Sequence, residues 1–391
     1  MFNVFGGTRK TAFFGLALAA TALLSACDTV SIGGGGPSID TSKPVPVALL
    51  VPKGSAQRGD PILAQSLENA ARLAIADLNG VKIDLRVYDT AGDVATAAAV
   101  ASQAVGDGAR IILGPVYGEA ANAVGNAVSG KKINVLAFSN NASIAGGNVF
   151  VLGPTFGNTA RRLASYAARQ GKGKTVVVHS ADAAGSVGRD AIQKAINGAG
   201  GRVAGSVSYD LSQQSVIAAV PRIRDAVRSN GADSVFLTSN TAGALPLLTQ
   251  LLPETGISPS ATQFIGLTRW DIPSQTLELP GVQGGWFATP DPAKAAQFRN
   301  RYQSAYGSPP HPIGGLAYDG IAAIGALVGA GKSDALTGAA LTQGAGFQGV
   351  NGIFRLRGDG TNERGLAVAT IQNRQVVVID PAPASFSGAG F

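Results

Sequence analysis

The sequence predicts an α/β fold in which two Rossmann-like lobes, each with a parallel sheet, are joined by a multi-segment hinge. The first observation is the stretch Thr175–Arg189, TVVVHSADAAGSVGR, where a β-branched apolar run breaks into a polar loop and enters a helical pattern. The second is its earlier echo, Val45–Gly59, VPVALLVPKGSAQRG. Two copies of one βα unit indicate two similar halves. Because parallel sheets bind ligands outside the carboxyl ends of their strands, we expect a cleft between the lobes.

The composition excludes several classes of protein. The chain has 391 residues, of which 45% are hydrophobic and 14% are charged, as in a globular protein with room for two domains. Its net charge of +7 is scattered, and its basic clusters are no larger than a pair or a triplet, such as Arg222 and Arg224. We therefore expect no nucleic-acid partner.

Residues 1–26 are predicted to be a lipoprotein signal peptide. A basic start precedes the apolar run Thr11–Ala22, which is too short to span a bilayer. The letters LSAC, which end at Cys27, resemble the bacterial lipobox and imply cleavage before Cys27 and acylation of its thiol. Because Cys27 is the only cysteine, an internal disulfide is excluded. Asp28 resembles a signal for the inner membrane, with anchoring in the outer membrane as the alternative.

The first lobe is predicted to comprise residues 45–154 and 311–345, after a flexible tether at residues 27–44 that is rich in Gly, Ser and Pro. Gly153 and Pro154 break the pattern and mark the first crossover between lobes. The predicted strands are Val45–Val51, Val81–Tyr88, Arg110–Leu113, Ile133–Phe138 and Val149–Leu152, and the helices are Pro61–Leu78, Asp93–Val105 and Tyr117–Val128.

The second lobe, residues 155–310 and 346–380, is predicted to repeat this scheme. Its predicted strands are Thr175–His179, Arg202–Tyr209, Ser234–Thr238, Gln263–Gly266 and Gly284–Ala288, and its helices are Thr159–Arg169, Gly188–Asn197, Ser215–Ser229, Ala242–Leu252 and Asp291–Tyr306. The apolar helix Pro312–Ala330 is expected to pack back on the first lobe.

The end of the chain is predicted to form a hairpin of Gly352–Leu356 with Leu366–Val378, turning at residues 358–360. Residues 381–391 are predicted to be a disordered tail. Because the chain must return to the first lobe, more than one segment connects the lobes. Several parallel connections permit a hinge closure on a small ligand.

Several short motifs follow one another in an order known from one family. They are VALLVPKGS, NAARLAIADLNG, VYDTAGD, ILGPV, VLAFSNNAS, TVVVHSADAAG, FIGLTRWD, GGWFATPDP, RYQSAYGSPP and LAYDGIAAI. This order, from Val45 to Val378, resembles the type I periplasmic solute-binding proteins, and within them the leucine/isoleucine/valine-binding group. The pairing of GLTRWD with GGWFATPDP, together with the lipobox, looks most like the penicillin-binding-protein activators, which share the fold and are thought to touch cell-wall synthases.

The resemblance implies a ligand site on loops that follow strands of the first lobe. In amino-acid-binding members, the loop after the third strand offers hydroxyl or backbone NH groups to the ligand carboxylate, and here it contains Tyr117 and Gly118. The loop after the fourth strand is matched here by Ser139, Asn140 and Asn141. Amino ends of helices are natural receptors for carboxylates, so this part of the site is expected to bind an anionic group.

Three further candidates follow strands of the second lobe: Asn240, Arg269 and Trp270. In the family, an acidic residue that holds the ligand ammonium falls near Thr268 and Arg269, where this chain has no carboxylate. The aromatic residue expected near Ala183 and Ala184 is also missing. Because a cation repels an α-ammonium, the sequence favours a different or anionic ligand, or none, over an aliphatic amino acid.

We predict no catalytic site, no metal and no cofactor. His179 and His311 are the only histidines, and a single histidine at the cleft makes neither a metal site nor a catalytic triad. No G-x-S-x-G elbow is present. We interpret His179 as a polar residue at the end of a buried strand.

Two functions remain open from the sequence. The first is a lipid-anchored periplasmic protein that captures a small polar solute, amino-acid-like or related, for an ABC permease or a sensor. The alternative is a penicillin-binding-protein activator, a regulatory lipoprotein that contacts cell-wall synthases and has a vestigial cleft. The missing carboxylate and aromatic residue favour the alternative.

Overall fold

Two large β-sheets organise residues 35–386, the part of the chain that the computed structural model describes. The strands are β1 (Val45–Val51), β2 (Ile83–Asp89), β3 (Ile111–Leu113), β4 (Val135–Ala137), β5 (Val149–Val151), β6 (Lys174–Ser180), β7 (Arg202–Tyr209), β8 (Ser234–Leu237), β9 (Gln263–Gly266), β10 (Trp286–Thr289), β11 (Phe347–Gly349), β12 (Gly352–Leu356), β13 (Asn362–Arg364), β14 (Ala367–Gln372) and β15 (Gln375–Asp380).

The order of strands is the same in both sheets. The first sheet, β2-β1-β3-β4-β5, is parallel throughout. The second contains β7-β6-β8-β9-β10, also parallel, and continues with the antiparallel strands β14 and β15. The α/β fold predicted from the repeated βα unit is therefore confirmed.

Helices cover both faces of each sheet. They are α1 (Asp60–Ala76), α2 (Val94–Gly106), α3 (Gly118–Val128), α4 (Phe156–Arg169), α5 (Ala183–Gly198), α6 (Gln213–Asn230), α7 (Leu245–Glu254), α8 (Pro292–Tyr306), α9 (Gly315–Gly329) and α10 (Gly338–Leu341). None of the helices between residues 35 and 386 is long and apolar enough to cross a membrane.

Strand β1 shows how the core is built. Val47 and Leu49 pack with α1 and α9 on one face, whereas Ala48 and Leu50 pack with α2 and α3 on the other. This alternation follows from the period of two along a strand, and burial of both faces explains the continuous apolar run. The expected packing of α9 on the first half is confirmed.

Part of the predicted tether is wrong. Ile39 is buried in the core of the first half, and its backbone NH donates to the Ser333 carbonyl at 2.9 Å. Asn134 Nδ2 donates to the carbonyl of Gly35 at 3.1 Å. The buried Ile39 side chain and these two hydrogen bonds attach residues 35–39 to the first half. Residues 1–34, with the predicted signal peptide and Cys27, lie outside the described residues.

The predicted hairpin is in fact two hairpins. β12 pairs with β13 around the predicted turn at residues 358–360, and β14 pairs with β15. The second turn is made by Asn373 and Arg374, whose φ angles are 51° and 60°. Because Asn373 is followed by an arginine where such turns usually have a glycine, the sequence signature of this turn is incomplete.

Residues 381–386 do not behave as the predicted disordered tail. The guanidinium of Arg355 lies 4.5 Å from the centre of the Phe386 ring, and Arg162 Nη2 donates to the Pro381 carbonyl at 3.2 Å. Residues 387–391 lie outside the described part of the chain.

The packing differs from the predicted lobe division at two places. Phe298 and Tyr302 of α8 lie in the core of the first half, although residues 155–310 were assigned to the second lobe. Phe347 and Phe354 of the small sheet β11-β12-β13 lie in the same core. The chain therefore passes between the halves after β5, after β10 and after β13, and the lobe limits themselves stay a prediction.

A buried polar network joins two of these crossings. Asn362 Nδ2 donates to the carbonyls of Val151 at 2.7 Å and Gly153 at 2.9 Å. Arg364 Nε donates to the Leu152 carbonyl at 3.0 Å, and its Nη1 lies 2.9 Å from Asp319 Oδ2. These bonds satisfy backbone groups that leave regular structure at the crossing.

Candidate functional site

A cavity of about 590 Å³ opens at the carboxyl edge of the second sheet. Its lining residues all lie between Phe156 and Thr268, on the second-sheet side. This is the edge at which parallel sheets bind ligands, and the volume falls in the range of small-molecule sites, roughly 300–1,000 Å³. Residues at or just after the ends of four neighbouring strands line it: Ser180, Tyr209, Thr238, Ser239, Asn240 and Thr268.

Neutral hydroxyl groups are the commonest polar side chains on this surface. Among the described residues, Thr238 Oγ1 and Ser239 Oγ are buried without a hydrogen-bond partner. Ser239 is only 8% exposed. A buried polar group without a partner costs about 1–3 kcal/mol. Two such atoms in one cavity wall therefore indicate a place where a ligand supplies the missing bonds.

Four helices begin at the cavity, and three of them, α4, α5 and α6, have a capping side chain. Asp182 Oδ1 accepts from the backbone NH of Gly185 at 2.8 Å at the start of α5. Ser212 Oγ accepts from the NH of Ser215 at 3.2 Å at the start of α6. Both are ordinary amino-terminal caps, which explains the residue types in these loops.

The start of α7 is different. Ala244 stands at its cap position, and no described side chain caps the helix. The carbonyl of Asn240 accepts from Gly243 NH at 3.1 Å and Leu245 NH at 3.2 Å, which folds the loop into a turn before the helix. Thr268 Oγ1 fixes the preceding residue by donating to the Ser239 carbonyl at 3.1 Å. The start of α7 therefore carries partial positive charge, but the Leu245 NH is used in this turn and Pro246 has no NH to offer.

Asp182 is the one charged residue that lines the cavity within the described chain. The Ser180 hydroxyl, at 2.7 Å, and the Gly185 NH hold the pKa of Asp182 below its usual value. Both bonds go to Oδ1, which leaves Oδ2 without a bond in the part of the chain described. The cavity therefore contains an ionised carboxylate with one oxygen to offer.

Burial raises the pKa of Tyr209 to about 12, while the neighbouring Ser239 hydroxyl acts in the opposite direction. The charge of Asp182 adds to the upward shift. The phenol of Tyr209 therefore remains protonated at neutral pH and can donate a hydrogen bond.

The structure separates the predicted residues of the second lobe. Asn240 lines the cavity. Arg269 does not, because its guanidinium is paired with Asp271, with Nε 2.9 Å from Oδ1 and a second, shorter contact. The predicted repulsion of a ligand ammonium by Arg269 therefore has no basis in the cavity.

The predicted cleft position of Trp270 is wrong. Its side chain is 0% exposed and belongs to the core of the second half. Gly266 and Gly285 make room for the indole, since a Cβ at either position would lie 2.3 Å from a ring atom. Trp270 is a packing residue, and the sequence could not show the facing glycines.

The predicted residues of the first half form a separate group at the edge of the first sheet. The NH of Asn141 donates to Ser139 Oγ at 3.1 Å, and a Cβ on Gly118 would lie 3.4 Å from that oxygen. Asn140 is exposed beside them. Tyr117 OH donates to Asp60 Oδ1 at 2.6 Å, and burial raises the pKa of Tyr117 to about 12. None of the five predicted residues, Tyr117, Gly118, Ser139, Asn140 and Asn141, lines the cavity described above.

Sequence reasoning missed Asp60, Thr238 and Ser239. Asp60 is buried, and its Oδ2 has no partner within the described residues. The sequence feature that pointed to Thr238 and Ser239 was the polar run TSN after β8, but only Asn240 of this run was predicted as a site residue. A chain's own sequence does not show which hydroxyls stay unpaired.

His179 Nδ1 lies 2.8 Å from the Ser180 carbonyl, as expected for a polar residue at a strand end. No group of three or more potential metal ligands lies together among residues 35–386.

Comparison with known proteins places the chain in a family. Residues 44–375 match the family model described as periplasmic binding protein, so the chain belongs to that family. This confirms the resemblance of the sequence motifs to the periplasmic solute-binding proteins. Membership implies a periplasmic location and a small-molecule ligand held between two lobes. A search of curated protein sequences found no match.

Solved structures with the same fold include three that are informative. One is a Rhodospirillum rubrum protein assigned to a branched-chain amino acid ABC transporter, with a TM-score of 0.72, 20% identity, and coverage of 86% of this chain and 100% of that chain. A substrate-binding protein from Desulfitobacterium hafniense in complex with Leu has a TM-score of 0.62, 18% identity and coverage of 86% and 100%. A solute-binding protein from R. palustris in complex with benzoate has a TM-score of 0.56, 18% identity and coverage of 89% and 99%.

Proposed function

We propose that this chain is a periplasmic solute-binding protein that captures a small polar solute, amino-acid-like or related, for an ABC permease or a sensor. The observation that carries the proposal is the cavity of about 590 Å³ with two buried, unpaired hydroxyls, at Thr238 and Ser239, within the described chain. The protein is a receptor and not an enzyme.

The captured solute is held first by the second half and then covered by the first. The cavity groups come from the second half alone, and the loops with Tyr117, Gly118, Ser139, Asn140 and Asn141 end at the edge of the first sheet. Connections at several places restrict the motion to a hinge. Closure is driven by ligand contacts that exist only when both halves engage.

The named ligands of structural neighbours support a solute with a carboxylate. Leu and benzoate, bound in two of these neighbours, both carry one. From the sequence, Arg269 was expected to repel a ligand ammonium. Because Arg269 is paired with Asp271, that repulsion is removed, which supports an amino-acid-like solute.

Attachment to the membrane is part of the proposal. The lipobox at LSAC supports acylation of Cys27, and two or more acyl chains give stable anchoring. Asp28 favours the inner membrane, with the outer membrane as the alternative.

The regulatory alternative is a lipoprotein that contacts cell-wall synthases. One observation favours it: Tyr117 and Ser139 make hydrogen bonds within the first half, with Asp60 and Asn141. Groups that are already satisfied gain less from a ligand.

Thermal unfolding of the full chain with a panel of amino acids, short peptides, aromatic acids, sugars and cell-wall fragments tests the proposal. A solute at a hundred times its dissociation constant adds about 2.7 kcal/mol to stability, which raises Tm by a few degrees. We expect at least one solute to do so, and Asn240→Ala to reduce the shift. A flat panel on folded protein contradicts solute capture and supports the regulatory alternative.

A further inference from the structure

We propose that β15, the outer strand of the second sheet, pairs with β15 of a second copy of this chain, antiparallel and in a twofold register centred on Val377. This surface lies away from the cavity. β15 is at one edge of the sheet, whereas β6 and β7, which end at the cavity, are at the other. The pairing therefore goes beyond solute capture and does not depend on it.

β15 is an edge strand that lacks the usual protection against pairing. Among the described strands it pairs only with β14. Edge strands of natural proteins commonly carry Lys, Pro or other charges that block a further strand, but the first five residues of β15, QVVVI, include none of these. The side chains of Val376, Val377 and Val378 are 37%, 36% and 40% exposed. Adjacent valines with this exposure favour the addition of another strand.

The backbone of β15 offers hydrogen bonds on its free side. Asn373 and Arg374 form a two-residue turn with positive φ at both positions, so the flanking Gln372 and Gln375 form a hydrogen-bonded pair. Such pairs alternate with non-bonded pairs along an antiparallel ladder. Val377 therefore bonds to β14, whereas the NH and carbonyl groups of Val376 and Val378 point away from it.

These free groups are complementary to those of an identical strand. A register centred on Val377 places Val376 opposite Val378 of the second copy, so all four free groups of each copy are paired. Val377 then faces Val377 of the second copy, and every exposed valine meets a valine. Centring on Val376 or Val378 would instead place a valine opposite Arg374 or Asp380. The twofold symmetry makes the contact closed, as in most dimers of identical chains.

The charges at the two ends of β15 agree with this register. Arg374 lies three residues before Val377, and Asp380 lies three residues after it. Each arginine is therefore brought across from the aspartate of the other copy, and opposite charges in facing strands stabilise their pairing. Asp380 uses Oδ2 for its bonds with Arg162 and Arg169, which leaves Oδ1 without a bond in the part of the chain described.

The described residues after β15 leave its edge open. The Pro381 carbonyl accepts from Arg162 of α4, and the Phe386 ring lies against the guanidinium of Arg355 on β12. Residues 381–386 therefore pass towards α4 and β12 and not along the valines.

Disulfide cross-linking of the full chain tests the register. Cys27→Ser removes the only native thiol, so each added cysteine is the only one. In the proposed register the two copies of residue 377 form a non-hydrogen-bonded pair with Cα atoms about 4.5 Å apart, within the range of a disulfide. Val376→Cys is the matched control, because its two copies are diagonal neighbours about 7–8 Å apart and too distant to bridge. We expect at least tenfold more cross-linked dimer for Val377→Cys than for Val376→Cys.

Sedimentation velocity of the full chain over about 1–200 µM tests the contact without a cross-link. We expect a dimer whose fraction rises with concentration. Val377→Lys places like charges opposite each other and should weaken association tenfold or more. Ile217→Lys changes an exposed apolar residue of α6 in the same way and should associate like the parent protein. Because both side chains are exposed, we expect both variants to keep the Tm of the parent.

Three results would overturn the inference. Equal cross-linking of the two cysteine variants, or none in either, would exclude the register. A dimer that Val377→Lys leaves intact would place the contact elsewhere. A parent protein that is monomeric at every concentration would mean that residues 1–34 or a different protein covers this edge. None of these results bears on solute capture, which the thermal-unfolding panel measures separately.

Discussion

Buried polar side chains in this protein differ in whether their polar atoms have hydrogen-bond partners. Ser234 begins β8, Ser239 lies two residues after its end, and both are buried. Ser234 Oγ lies 2.8 Å from Thr175 Oγ1 and donates to the Lys172 carbonyl at 2.9 Å. Ser239 Oγ makes no hydrogen bond of good geometry in the described structure, although the Tyr209 phenol lies beside it. The first serine stabilises the fold, and the second is available to a ligand.

Replacement of each serine by alanine should therefore have different effects on stability. Ser239→Ala removes an unpaired hydroxyl, so we expect an unchanged or slightly higher free energy of unfolding. Ser234→Ala leaves two partners unsatisfied and is expected to lose about 1–3 kcal/mol. Urea unfolding of both variants checks this. A loss in Ser239→Ala as large as that in Ser234→Ala would mean that its hydroxyl is already bonded.

Trp270 gives a second prediction at this scale. Gly266→Ala places a Cβ 2.3 Å from the indole, and overpacking of this kind destabilises by about 1–3 kcal/mol. Gly205→Ala on β7 is the control, since its nearest neighbour would lie at 3.7 Å. Thermal unfolding should show a clear fall in Tm for the first variant only. Equal Tm values would disprove the packing role of Trp270.

Secondary-structure elements are connected by a few buried polar contacts near the crossings. Arg364 and Asp319 join β13 to α9 with exposed fractions of 4% and 0%. Asp319 Oδ1 also accepts from the NH of Val350 at 2.8 Å. Burial raises the pKa of Asp319, and Arg364 opposes that rise. The fold depends on both members of this ion pair, because either charge alone would be buried away from water without a partner.

Arg364→Met is expected to lower the free energy of unfolding by about 3–5 kcal/mol, since it leaves Asp319 without its cation. Arg374→Met removes an exposed pair with Glu278, with side-chain exposures of 69% and 62%, and should change stability by less than about 1 kcal/mol. Urea unfolding distinguishes the two. Similar small losses would show that the buried pair contributes no more than a surface pair.

The connection between α8 and α9 makes stability depend on pH. Burial lowers the pKa of His311 from the usual value of 6.5, and its Nδ1 accepts from the Ile313 NH at 3.4 Å. The folded state therefore favours the neutral ring. This contribution is complete above pH 6.5 and is lost as the pH falls from there through the lower pKa of the folded state.

His311→Gln should accordingly flatten the dependence of Tm on pH below neutrality. The measurement is thermal unfolding of the parent protein and the variant at several pH values between about 5 and 8, around the ordinary histidine pKa. Parallel curves for the two proteins would show that His311 does not titrate differently on folding.

The whole molecule consists of two repeats of one strand order with the candidate site on one of them. The repeat and the strands of the two parallel sheets could be predicted from the sequence, because apolar period and loop composition act locally. The apolar character of α9 likewise predicted its burial against the first half. The attachment of Ile39, the burial of Trp270 and the pairing of Arg269 depend on contacts between distant or facing residues. Asn240 was predicted at the cavity because it directly follows a predicted strand. Thr238, Ser239 and the free oxygen of Asp182 were not assigned, because the sequence does not show which polar atoms lack a partner.

The central claim is that a solute occupies the cavity at the carboxyl edge of the second sheet and is then covered by the first half. Hydrogen–deuterium exchange of the full chain, with and without a mixture of the common L-amino acids, tests it most directly. We predict slower exchange at residues 180–186, 209–216 and 238–248, and also in the loops at 115–119 and 139–143. Unchanged exchange, or protection confined to segments far from both edges, would contradict the account.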